Sequence, residues 1–119
     1  MSLKIISQNI KTIKKDILEY SKKNQSCKLL CVTKYASLDN MQNLYTAGER
    51  LFGESKIQDT EKKQSILNQS DIQWHLIGHL QTNKVKKAVT LFNCIQSVDS
   101  IKVLKKINEE AKKINKKQS

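Results

Sequence analysis

Leu3, Ile6, Ile10, Ile13, Ile17 and Tyr20 recur three or four residues apart with lysines between them, which predicts an amphipathic helix over residues 3 to 23. Asn24, Gln25 and Ser26 interrupt that period. From Cys27 to Lys34 the chain reads as a strand, with Cys27, Leu29 and Cys31 on one side and Leu30 and Val32 on the other, so that both faces are apolar and buried. A second helix is expected between Ser37 as N-cap and Gly48 as stop. Arg50 to Phe52 then forms a very short strand ending at Gly53, and Glu54 to Leu67 a helix with Ile57, Ile66 and Leu67 as its sparse apolar face. Ile72 to Ile77, with Trp74 as a core residue, is a third strand, and Thr82 to Leu91 a helix. Phe92 to Ile95 is a fourth strand. The last helix runs from Asp99 or Ser100 to Ile114, and the polar residues 116 to 119 are expected to fray.

One helix followed by four strand-helix units is an α/β pattern with parallel strands and right-handed crossovers. It fits half of a (β/α)8 TIM-type barrel, and equally a small open sheet covered on both faces; periodicity does not choose between them. The length fits a single domain over residues 1 to 119.

The formal charge of +11 raises nucleic acid or an anionic surface as partners. Its makeup argues against specific nucleic-acid binding, because every basic residue but Arg50 is a lysine, and the lysines are spread along the whole chain. The pairs Lys62-Lys63, Lys86-Lys87, Lys105-Lys106 and Lys112-Lys113 read as solvated helix faces. No segment has the pattern of a signal peptide or the length of a membrane span. Cys27, Cys31 and Cys94 form no Cys-x-x-Cys pair, which points to a reduced, cytoplasmic protein without a disulfide framework or zinc site.

In parallel α/β folds chemistry gathers at the carboxyl ends of the strands. Those positions here are Thr33-Lys34, Gly53-Glu54-Ser55, Gly78-His79-Leu80-Gln81 and Gln96-Ser97-Val98-Asp99. A lysine where a buried strand stops has its ammonium disfavoured by desolvation and can act as a Schiff-base amine, although a lysine also commonly marks a solvated strand edge. Tyr35, on the opposite side, is expected to pack. His75 and His79 are four apart but fall on a strand and a loop, so a metal pair is not expected; His75 reads as core and His79 as a rim residue. Glu54 is either a carboxylate near Lys34 or the acidic first turn of the following helix. Ser97 is a candidate contact, and Asp99-Ser100 begins the last helix.

Leu-Leu-Cys-Val-Thr-Lys at 29 to 34, Ala-Gly-Glu-Arg-Leu-Phe-Gly-Glu at 47 to 54, Gln-Trp-His-Leu-Ile-Gly-His-Leu-Gln-Thr-Asn-Lys-Val-Lys at 73 to 86 and Gln-Ser-Val-Asp-Ser at 96 to 100 resemble the pyridoxal phosphate homeostasis proteins. The resemblance implies the barrel of the alanine racemase N-terminal domain, present as its N-terminal half. It also implies pyridoxal 5'-phosphate held as a Schiff base on Lys34, with Ser55, His79 and Ser97 near the cofactor, and a role in cofactor homeostasis without catalytic turnover. Ser55 stands where the family usually has asparagine, so one amide contact is replaced by a shorter hydroxyl.

The phosphate site of such barrels is built by loops after the last strands, beyond the fourth unit, and Gly48, Gly53 and Gly78 form no glycine-rich substitute. The chain by itself is therefore expected to bind the cofactor weakly or not at all. Half a barrel also leaves strand edges unpaired, which favours a homodimer. The alternative is a basic or self-associating module, with a nucleic-acid or protein partner, that has lost the cofactor.

Overall fold

The computed structural model describes residues 1–23 and 26–119; the predicted break at Asn24 and Gln25 lies outside them. Helix α1 (Leu3–Tyr20) is followed by β1 (Cys31–Val32), α2 (Leu38–Thr46), β2 (Leu51–Glu54), α3 (Ile57–Leu67) and β3 (Gln73–Leu76). A 3-10 turn (Thr82–Lys84) leads into α4 (Val85–Leu91), and β4 (Cys94–Ile95) and α5 (Ile101–Lys113) complete the chain.

The helix boundaries follow from local chemistry. The hydroxyl of Ser37 accepts from the Asn40 N–H at 3.1 Å, and that of Ser100 from the Val103 N–H at 3.2 Å. Ser2, which the hydrophobic pattern did not single out, caps α1 in the same way. At the end of α2, Gly48 takes φ 101°, and its N–H and that of Glu49 return to the carbonyls of Tyr45 and Leu44. A side chain is strained at that φ, so glycine terminates this helix.

The four strands are all parallel, in the order β1-β2-β3-β4. Sequential order is that of a (β/α)8 barrel, whereas an open doubly wound sheet reverses at a switch point. The fold is thus the predicted four parallel β-α units of half a barrel. Crossovers of one hand in sequential order place the helices on one face of the sheet. Phe52 and Trp74, partners in register, point to that face and meet edge to face, with centroids 5.6 Å apart. Leu76 and Ile95, paired with each other one row further along, face the same side, and Met41, Leu80, Val85, Val89, Phe92, Val103 and Ile107 close the core over them.

Four expectations are corrected. The strand predicted from Cys27 to Lys34 contracts to two residues and is not buried on both faces: Cys27 is exposed and Val32 is 57% exposed. It lies at the edge of the sheet, with β2 as its one partner strand among the described residues, so half of its backbone groups have no ladder to join. The apolar stripe of α1 is buried only at Ile6 and Ile10, because α1 packs on α2 through its first half; Tyr20 is 81% exposed. Ile66 of α3 is exposed as well, and Thr60 takes a buried place on that helix instead. Finally, the polar tail is docked. Lys116 Nζ donates to the carbonyls of Val89 and Phe92, and the Ser119 carbonyl accepts from the Ile95 N–H at 2.8 Å, on the outer edge of β4.

Among the described residues no helix is long and apolar enough to cross a membrane. The single arginine is engaged structurally: Arg50 lies 3.7 Å over the Tyr45 ring and donates to Asp71 and to the Tyr45 carbonyl.

Candidate functional site

The register aligns Val32, Gly53, His75 and Cys94 in one row, alternating with the core-facing residues and so turned to the helix-free face. Lys34 and Ser55 stand two residues beyond Val32 and Gly53, at the same level of the carboxyl rim. Lys34 is exposed in a turn, and its Nζ lies 5.2 Å from the centroid of the Tyr35 ring. The desolvation expected of a strand-end lysine is therefore missing, and the packing expected of Tyr35 is overturned by its 87% exposure. Both follow from the shortness of β1, which leaves the turn outside any layer.

Ser55 is half-buried, and its backbone is held tightly against the next loop. A Cβ on Gly78 would fall 2.5 Å from the Ser55 carbonyl oxygen and 2.7 Å from its Cβ, so only glycine permits this approach. Ser55 and His79 line one cavity of about 360 Å³, together with Gln81, Lys56, Lys84 and Lys87. His79 Nδ1 is 3.2 Å from Asp99 Oδ2, which joins the loop after β3 to the loop after β4. Ser97, in that second loop, has a hydroxyl oxygen that is buried and has no hydrogen-bond partner among the described residues. Ser55, His79 and Ser97 thus occupy three neighbouring loops of one rim; Lys34 shares the rim but does not line the cavity.

His75 is half-buried on the helix-free face, outside the core where it was expected. Its Nδ1 lies 2.8 Å from Gln96 Nε2, and burial lowers the imidazole's pKa. The two histidines therefore have different partners. Among the described residues no group of three or more His, Cys, Asp and Glu side chains is placed to hold a metal ion.

Glu54 is not in the first turn of α3, and its carboxylate is paired with Lys63. It ends β2, ahead of α3, and turns to the helix side, where it is 1% exposed. Lys63 Nζ donates to both of its carboxylate oxygens at 2.9 Å and to the Thr33 carbonyl at 2.7 Å, and the Thr33 hydroxyl donates to Glu54 Oε2. Lys63 had been assigned to a solvated helix face, yet its side chain is 13% exposed. The signal that identifies it is helical spacing: Thr60, Lys63 and Leu67 follow one another by three and four residues, which aligns Lys63 with two buried positions.

No protein-family model matches the chain. It is 40% identical over 92 residues to the pyridoxal phosphate homeostasis protein of Synechocystis, an alignment that covers 76% of this chain and 42% of that protein. It is 36% identical over 101 residues to the protein of the same name from Helicobacter pylori, covering 84% and 45%. Among solved structures, PipY of Synechococcus elongatus with pyridoxal phosphate bound superposes with a TM-score of 0.83 at 31% identity, over 95% of this chain and 52% of PipY. The chain spans about half the length of the relatives it matches.

Proposed function

Because the chain is a relative of the pyridoxal phosphate homeostasis proteins over about half of their length, we propose that it binds pyridoxal 5'-phosphate through the amine of Lys34, as a partial-barrel domain of residues 1–119. The observation that carries this reading is the position of Lys34: it stands two residues past the first strand, inside a motif that resembles the family's, at the carboxyl rim and level with Ser55. When bound, the cofactor supplies an aldehyde that a neutral primary amine can attack. Around it, the Ser97 hydroxyl is a buried donor in want of a partner, Ser55 offers a hydroxyl, and His79 is oriented by Asp99. These groups suit a polar, phosphorylated aldehyde.

The role we assign is cofactor binding and homeostasis, in the cytoplasm and without catalytic turnover; the names of the relatives support the homeostasis part of this reading. Association into a homodimer would proceed through the outer edge of β1, which has β2 as its one partner strand among the described residues.

The test is to incubate the protein with pyridoxal 5'-phosphate, reduce with borohydride, and map the modified lysine by mass spectrometry. Selective label on Lys34, absent in Lys34→Ala, is expected. Label spread evenly over the surface lysines would overturn the reading. Sedimentation across a concentration series tests the dimer, which requires a mass that rises with concentration.

A further inference from the structure

The geometry points to Lys63 as a positioning residue for Lys34: its ammonium, anchored on the buried carboxylate of Glu54, holds the Thr33 carbonyl and with it the turn that presents Lys34. This rests on the reading of Lys34 given above.

The strand that delivers Lys34 has two residues and one partner strand, so ladder hydrogen bonds alone constrain it weakly. Thr33 supplies the missing constraint. It is completely buried, and each of its polar groups is engaged. Its N–H donates to the Gly53 carbonyl at 2.9 Å. Its hydroxyl reaches the same carbonyl and Glu54. Its own carbonyl accepts two donors: the Ala36 N–H at 3.0 Å, which closes the turn around Lys34 and Tyr35, and Lys63 Nζ at 2.7 Å. The two residues after Thr33 are exposed. The direction in which Lys34 leaves the sheet is therefore set at Thr33.

Lys63 comes from the middle of α3 and Glu54 from the end of β2, so the network ties the Lys34 turn to the neighbouring β-α unit. An ammonium has three donors, and here each has an acceptor: two carboxylate oxygens and one carbonyl. An apolar pair of similar volume generally serves stability as well as a buried ion pair does. What an apolar pair cannot do is hold a carbonyl.

The experiment measures two properties of the whole chain: amide exchange at Ala36 by NMR, and the ratio of pyridoxyl label on Lys34 to label on the other exposed lysines. Glu54→Gln/Lys63→Met removes the tether without leaving a buried charge unpaired. If that variant does not fold, Glu54→Gln/Lys63→Gln replaces it, a neutral pair whose amide at position 63 sits on an arm one bond shorter than that of the ammonium. The control is Lys14→Met, which leaves the buried Glu49 carboxylate without its 2.6 Å partner, beside Cys31 at the start of β1 but outside the hydrogen bonds of Thr33. With the tether gone, Ala36 should exchange about tenfold faster and Lys34 selectivity should fall about tenfold, whereas Lys14→Met keeps both. Unchanged Ala36 exchange in the folded variant, or an equal loss in Lys14→Met, overturns the positioning role. If the unmodified protein takes no selective label at Lys34, the cofactor reading fails, and Ala36 exchange alone decides whether Lys63 fixes the turn.

Discussion

Lys63 Nζ lies 2.9 Å from each carboxylate oxygen of Glu54, a side chain that is 1% exposed. The pair joins the end of β2 to the middle of α3, directly beneath the turn that carries Lys34. Two charges removed from water in this way depend on each other far more than a surface pair would.

Lys63→Met alone should cost about 3–5 kcal/mol, because it strands the Glu54 carboxylate in the interior. Glu54→Gln/Lys63→Met should cost markedly less. Urea denaturation of the two single variants and the double gives the coupling; additive losses would mean that the carboxylate is not held by Lys63.

Gly78→Ala should destabilise the protein by about 1–3 kcal/mol, the usual cost of forcing atoms into filled space. The obstructing atoms are the Ser55 backbone and Cβ, which cannot swing aside as the end of a long side chain can. Ser55 would be displaced from the cavity it shares with His79. A thermal midpoint equal to that of the parent would contradict the close approach.

Burial first, and the Glu49 carboxylate second, push the Cys31 thiol from 9.0 up to about 11, against an opposing pull from Lys14. The unfolded chain gives up this proton before the folded one does. The stability gained is therefore fully present below pH 9 and is lost as pH rises towards 11. Denaturation midpoints of the parent and Cys31→Ala at pH 8 and pH 10 should differ by less at the higher pH; a constant difference would refute the assignment. At pH 8, iodoacetamide should modify exposed Cys27 ahead of Cys31.

Lys116 donates to the carbonyls of Val89 and Phe92 at the end of α4, and its partial burial lowers its pKa. Lys116→Ala should cost about 1–2 kcal/mol, in the range of a charged hydrogen bond at a helix end. Faster exchange of the last α4 amides would accompany the loss, and no change at either readout would mean that the tail is free after all.

How much of this was legible in advance differs between residues. The rim positions of His79 and Ser97 are legible because both residues follow strands, and strand ends can be counted along the chain. Lys63 reads as solvated because a doubled lysine on a helix resembles any solvated face; its spacing from Thr60 and Leu67 aligns it with buried positions, and Glu54 across the interface supplies the reason that it turns inward. Tyr35 was assigned to packing on alternation alone, which fails where the strand is too short to have a second layer beside it.

The sequence by itself determined the order and type of the elements, the cap at Ser37, the start of the last helix at Asp99 or Ser100, the stop at Gly48, and the place of Lys34 just past the first strand. Those features depend on residues within a few positions of one another, where period and backbone preference act. The tertiary structure alone decided the sequential strand order, the exposure of Val32 and Lys34, the docking of residues 116 to 119, and the burial of Lys63 under the Lys34 turn. Each of these is set by what lies opposite, and residues far apart in the chain become neighbours only when the sheet and its helices close together.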